Sequence, residues 1–478
     1  MSIEQAYDNP KTHLNKTIAT GLLVAVVFAA LAHGAVEPWS VFVFEAMVVA
    51  LLLLWCIKIM ADRRLTLNIP KTILPVAALV AVGLVQSIAI TDGAGRWQSL
   101  SKNVGYTRAA VTVLIFVLIS AIIAATFFSR RNYLSALGHF LVIYGLGMAL
   151  FALIQHFAWN GSFYWLRQTD ATTPFGPFVN HNHFAGYMEM LFPIPVALIV
   201  SRALRTELRV LYGFAAVVIG VAVVLSLSRG GIISIAAAMA FLVLMSGRLS
   251  RRPGKATAKR GLSQLAARAA VLIAIVAVIS AGILWIGADP VIQRVTQGNQ
   301  LNEGLPKETF FSSRGWVWRD TLKMIRANPL LGVGVGAYET AFSIYTESDG
   351  SLRVPQSHND YLQVLADCGI VGGLIALSFI VLLFRAVARG SRSRDPLLAA
   401  LAVGSGAGLF AMLVHSLFDF NLQLPSNALL FLLLSAVATN VAATVRDQEG
   451  SSTARSSRNA VQLETEGVSS VSFSRGAS

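Results

Sequence analysis

Charge is what this chain has least of. Of its 478 residues only 13% are Asp, Glu, Lys or Arg, where soluble domains carry about a quarter. A water-facing globular surface cannot be built from so few ionic side chains, so an ordinary soluble domain is excluded and a bilayer is indicated as the solvent. Cysteine is nearly absent. Cys56 and Cys368 are expected near opposite membrane faces, beyond disulfide reach, and neither has a Cys or His neighbour at metal-ligand spacing. No Asp-x-Asp occurs, and Glu347-x-Asp349 reads as a solvated pair in a loop. The glycines at 332, 334 and 336 form neither a Gly-Lys-Ser/Thr phosphate loop nor a Gly-x-Gly-x-x-Gly, since position 337 is Ala. There is no tandem repeat, no soluble catalytic domain, and no small-residue cleavage site after the first apolar stretch.

What is abundant is apolar. Hydrophobic residues make up 55% of the chain and arrive in blocks of about 20, the length a helix needs to cross ~30 Å of hydrocarbon. The expected spans lie near 18–36, 39–60, 72–90, 109–128, 132–156, 184–201, 209–227, 230–246, 268–286, 368–388, 397–416 and 427–445, about twelve in all. Behind the net charge of +14, every second loop is basic. Arg63/Arg64/Lys71, Arg130/Arg131, Arg202/Arg205/Arg209, the run Arg248–Arg268 and Arg385/Arg389/Arg392/Arg394 would all face the cytoplasm, which is the positive-inside pattern and not a nucleic-acid footprint. Residues 1–16 then form a short cytoplasmic lead, and an even span count returns the C-terminus to the same side.

The expected organisation is therefore an all-α polytopic transmembrane bundle. Residues 1–286 hold spans one to nine, 287–367 a large outer loop, 368–446 the last three spans, and 447–478 a Ser- and Arg-rich tail expected to be disordered. Within the loop, Arg314–Asn328 reads as a basic amphipathic helix. Trp318, Leu322 and Ile325 lie on one face, with Arg319, Lys323 and Arg326 opposite. Such a helix suits the headgroup level of a membrane. A flexible glycine turn follows, then a short helix over His358–Asp367 stopped by Gly369.

The polar residues expected at the outer surface are the candidates for chemistry. Arg229, in Ser228-Arg229-Gly230-Gly231, breaks the positive-inside pattern; a guanidinium there holds a phosphate bidentately or snorkels to a headgroup. Arg314 is a second such cation, or part of a solvated face. His358 suits proton transfer near neutrality, with a structural histidine as the plain alternative. Asn180-His181-Asn182-His183 can hydrogen-bond sugar hydroxyls, bind a metal or serve as loop and cap, and the turn bearing His415, Asp419, Asn421 and Asn427 reads as capping and helix-end satisfaction. Gly404-Ser-Gly-Ala-Gly408 lies inside a span and reads as close helix packing. Glu45, Lys58 and Glu189 are the main ionisable residues within spans, fewer than an ion-coupled transporter usually shows.

The run His358-Asn359, nine residues, then Gly369-Ile-Val-Gly372 resembles the hallmark of the O-antigen ligase/polymerase superfamily. Ser228-Arg229-Gly230-Gly231, Arg314-Gly-Trp-Val-Trp318, Asn328-Pro-Leu-Leu-Gly-Val-Gly-Val-Gly336 and His358-Asn359-Asp360-Tyr361-Leu362-Gln363 agree with it in kind and order over roughly 175–380. The resemblance implies a GT-C-like architecture and an inverting glycosyltransferase of the bacterial inner membrane, with termini cytoplasmic and active site periplasmic, needing no metal or other cofactor. Its partners would be an undecaprenyl-diphosphate-linked glycan donor, a glycan or lipid A-core acceptor, and membrane lipids. It further implies His358 as catalytic base, Arg229 and Arg314 as diphosphate ligands, and Asn359, Tyr361, Asn180, His181 and Asn182 as supports. A flippase or polysaccharide transporter, or a protein O-oligosaccharyltransferase, is the alternative reading.

Overall fold

A computed structural model of the protein describes residues 10–91, 97–168, 174–249, 310–346 and 353–473, with a few isolated positions between 266 and 277. The expected span 268–286 and the pair Glu347/Asp349 lie outside the described residues, as does the side chain of Arg314.

The architecture is an all-α polytopic bundle. Its helices are α1 (Pro10–Leu31), α2 (Pro38–Asp62), α3 (Ile73–Gln86), α4 (Val104–Phe127), α5 (Arg131–Phe157), α6 (His181–Leu191), α7 (Pro193–Val200), α8 (Thr206–Leu225), α9 (Arg229–Leu249), α10 (Phe310–Ala327), α11 (Tyr338–Tyr345), α12 (Asp360–Gly390), α13 (Pro396–His415) and α14 (Pro425–Phe473). Ten helical stretches among the described residues are long and apolar enough to cross a membrane. They coincide with ten of the expected spans, α6 and α7 forming one of them across the break at Phe192–Pro193.

The stretch expected at 72–90 is shorter. α3 has 14 residues, about 21 Å of helix, because the chain leaves it after Ser87 for a small antiparallel pair, Ala89–Thr91 with Trp97–Ser99. At the other terminus, α14 continues to Phe473, into the tail expected to be disordered. No proline follows Pro425, so nothing in the polar sequence breaks the ladder that the apolar part begins.

Loops that join the spans sort to two ends. At one, Asn68 binds Ala125 O and Asn440 Oδ1, each at 2.9 Å, and Arg131 pairs with Asp395. The basic loops with Arg63/Arg64/Lys71, Arg130/Arg131 and Arg392/Arg394 lie here. At the other end, Ser426 N donates to Gly34 O, Asp360 N to Ser416 O, and Arg167 pairs with Glu37 at 2.7 Å. This second end carries the histidines and amides.

The α6–α7 span is buried over nearly its whole length and forms the axis of the bundle. It can approach α13 closely because that helix presents glycine. A Cβ at Gly408 would stand 2.2 Å from Met190 O, and one at Gly404 would stand 3.0 Å from Ile194 Cα. The small-residue run thus serves helix packing, as its spacing suggested. Gly213, by contrast, has open space where a Cβ would be. The same change should therefore act with opposite signs. Gly408→Ala is expected to destabilise by about 1–3 kcal/mol through overpacking, whereas Gly213→Ala gains up to about 1 kcal/mol of helix propensity. Thermal unfolding of the two purified variants in detergent checks this.

Candidate active site at the polar end

α10 shows how the outer segment is seated. Its buried stripe is Val317, Asp320, Thr321 and Met324, at i, i+3, i+4 and i+7, and Leu322 is exposed. The face differs from the expected Trp318/Leu322/Ile325 because a buried acid replaces an apolar position. Asp320 accepts from Arg319 Nε at 3.1 Å and from Thr346 Oγ1 at 3.3 Å, and lies 3.0 Å from Lys323 Nζ. Burial alone would raise this carboxyl, but the hydrogen bonds from Lys323 and Arg319 outweigh it and hold the group below its ordinary range. α10 packs on α11 and α12 around Val333, Tyr338, Phe342 and Ala366, so it docks on the protein rather than lying free at the headgroups.

The glycine segment is fixed, not flexible. Gly332, Gly334 and Gly336 all have positive φ, and a Cβ at Gly332 would meet the Asp367 carbonyl carbon at 2.4 Å. Val333 N and Gly334 N donate to Ala366 O and Asp367 O. A buried glutamine, Gln86 at the end of α3, donates to Leu331 O at 2.6 Å and Asp367 O at 2.8 Å and accepts from Val335 N at 3.0 Å. Gly369 breaks α12 with φ 63 and ψ −160, where its backbone abuts Leu330 O. The short helix expected before Gly369 is thus the first segment of α12.

His358 sits just before that helix in a left-handed conformation, φ 51, a costly one for a histidine. Three bonds impose it. Trp318 Nε1 donates to Ser357 O at 3.0 Å, Ser357 N to Gln363 Oε1 at 2.8 Å, and Ser357 Oγ to Asn359 O at 2.7 Å. Asn359 caps α12 through Tyr361 N and Leu362 N and ties it to Leu417 O. Tyr361 Oη donates to Leu413 O. Both supports therefore brace the backbone.

The imidazole that this frame presents is 32% exposed, and its Nδ1 stands 3.4 Å from Oδ1 of Asp419, which is 1% exposed. Asp419 is held in turn. Asn182 Nδ2 donates to its Oδ2 at 2.8 Å and Phe420 N to its Oδ1 at 2.9 Å. Phe420 lies between two imidazoles, edge-on to His358 at 5.0 Å and to His183 at 4.8 Å. His183 Nδ1 meets Asn421 Oδ1 at 2.9 Å. Deeper, His415 Nδ1 meets Glu189 Oε2 at 2.9 Å, and its Nε2 faces Gly230, where a Cβ would stand 2.5 Å away.

Arg229 opens α9 after Leu227, whose φ of 60 turns the chain sharply; Ser228 Oγ caps the helix by accepting from Gly231 N at 3.1 Å. Gly231 lies against Ala185 of α6, so the start of α9 is wedged between α6 and α13. The backbone of Arg314 is on α10, one turn before Trp318. Asn180 caps α6 through Asn182 N, and His181 lines a neighbouring cavity.

The structure thus gathers Arg229, Asn182, His358 and Asp419 at one end. Buried polar atoms without a hydrogen-bond partner among the described residues concentrate here too: Glu189 Oε1, His358 Nδ1, Asp360 Oδ1 and Asn421 Nδ2. Native interiors leave few such atoms, and they mark sites of function. Among the described residues no His, Cys, Asp and Glu side chains cluster so as to hold a metal ion. The reading from sequence missed Gln86, and it named Trp318, Glu189 and His415 without the partners that the fold gives them, Ser357 O for Trp318 and each other for the acid and the histidine.

Fold and site together define a multi-pass α-helical membrane protein with a histidine–carboxylate site at the polar end of its spans. Residues 214–377 match the family model O-Antigen ligase, in line with the resemblance drawn from the motifs of that stretch. The match supports a glycosyltransferase-type membrane enzyme of the ligase/polymerase kind. No curated protein matches the chain. The match takes in α8, α9, α10 and α11 and the first half of α12, whereas Asp419 and Asn182 come from outside it.

Asp320 yields a test of the seating of α10. A carboxyl depressed in the folded state adds stability that is present above its unfolded pKa and lost as pH falls through the folded one. Asp320→Asn should cost about 1–3 kcal/mol at pH 7. Its deficit relative to wild type should shrink once the pH drops below ~4, as followed by thermal unfolding across a pH series.

Proposed function

We propose that this protein moves a glycan from undecaprenyl diphosphate to an acceptor hydroxyl, as a ligase or polymerase of bacterial surface polysaccharide. The observation that carries the reading is the pairing of His358, inside the stretch that matches the family, with Asp419 from outside it, exposed on the histidine side and buried on the carboxylate side. With a proton on Nδ1 toward Asp419, Nε2 is left as the base. It takes the acceptor O–H proton as that oxygen attacks the anomeric carbon, and the bond to diphosphate breaks on the opposite face, inverting the centre. The imidazolium that forms is stabilised by Asp419, which Asn182 keeps in place. Negative charge grows on the leaving diphosphate, where Arg229 and Arg314 are the groups assigned to meet it. Basic loops at the opposite end support a cytoplasmic side there, and with it a reaction at the periplasmic face of the inner membrane.

The test uses purified full-length protein and purified lipid-linked donor. His358→Ala and Arg229→Ala should abolish transfer in protein that remains folded and membrane-inserted, and Asp419→Asn should slow it by about 10²-fold or more. Full activity in the first two variants overturns the proposal. Movement of lipid-linked sugar across vesicles with no change in glycan length would instead identify a transporter.

A further inference from the structure

A cavity of about 240 Å³ opens beside the site. Its walls come from the end of α5, the start of α6, the turn after α8 and the loop before α6. Trp159 and Phe175 supply aromatic surface; Gln155, His156, His181 and Ser226 supply polar groups. The aromatic wall is rigid, since Phe175 packs on Phe184 at 5.0 Å and on His156 at 5.1 Å. The cavity is smaller than the ~300 Å³ at which whole drug-sized ligands are enclosed, which suits one ring.

We infer that this cavity is a saccharide subsite that takes one sugar residue of the lipid-linked donor. The inference rests on the glycan-transfer reading above. A pyranose presents an apolar C–H face and a rim of hydroxyls, and an aromatic wall with interleaved amide, imidazole and hydroxyl groups matches both. Position favours donor over acceptor. The wall residues Ser226 and Leu227 run directly into Ser228-Arg229, the arginine assigned to the diphosphate. His181 adjoins Asn182, which holds Asp419. The acceptor in an inverting displacement arrives from the face opposite the diphosphate, on the side of His358. A sugar seated beside Arg229 is therefore on the donor side.

Trp159 is 41% exposed and His156 is exposed, so both can be changed without opening the core. Donor binding is measured on full-length His358→Ala protein in lipid nanodiscs, which cannot turn the donor over, with purified polyprenyl-diphosphate-linked glycan as the probe. Adding Trp159→Ala should weaken the Kd about tenfold, Trp159→Phe should recover most of it, and polyprenyl diphosphate without sugar should bind both proteins alike. In the active protein, Trp159→Ala should raise the KM for donor and leave that for acceptor unchanged. Equal donor affinity with and without Trp159, or a shift confined to the acceptor KM, overturns the subsite. Absence of turnover by wild-type protein would overturn the proposed reaction instead, and the binding comparison separates the two failures.

Discussion

A carboxylate taken out of water must be given donors or a partner charge, because the unsolvated anion is otherwise too costly to keep. Asp419 meets that condition by drawing on three distant parts of the chain. Its two oxygens take the Asn182 amide and the Phe420 backbone N–H, and Oδ1 stands 3.4 Å from Nδ1 of His358. The start of α6, the turn between α13 and α14, and the start of α12 are thereby brought to one point. The spans can be arranged in many ways that bury apolar surface, since hydrocarbon contacts carry no direction. This polar junction has direction, and it selects the arrangement in which the histidine is poised.

The rest of the outer structure serves to keep that histidine where it is. Its left-handed backbone has no stability of its own, so Trp318, Gln363 and Asn359 have to impose it. Trp318 can do this only if α10 is seated, and the seating depends on Asp320 with its two cations and on the Val317–Met324 stripe. The helix break at Gly369 and the glycine segment 332–336 let two backbones approach closer than any side chain would permit, and Gln86 closes the joint. The segment from α10 to the start of α12 is thus clamped to the span ends at both its glycine segment and its His358 end. The same clamping leaves a cavity at the other side of α6, with Arg229 between the two.

Much of this was legible from the residues. Apolar blocks of spanning length and the alternation of basic loops predicted ten of the helices and sorted the ends, because a bilayer leaves a backbone few alternatives. His358 stood out by chemistry and by the resemblance, and the fold sets it beside the buried Asp419. Three readings needed correction, for local reasons. The face of α10 was misjudged because a buried, paired acid at Asp320 looks like a solvated one in a helical wheel. α3 ends early because the chain leaves it after Ser87 for the strand pair, with Gln86 held in the joint. The tail runs on as helix because polarity without proline does not end one.

By itself the sequence determined the solvent, the helices, the likeness to a glycosyltransferase family and the few side chains able to do its chemistry. These follow from local composition and spacing, which short stretches carry in full. Only the tertiary structure decided that Asp419 is the partner of His358, that Asn182 and not His181 reaches it, and that the glycine segment is a clasp. Those facts concern residues that lie in different elements, Asn182 and Asp419 being 237 positions apart. Their pairing depends on which span ends meet, a matter of packing and hydrogen-bond geometry that no local pattern encodes.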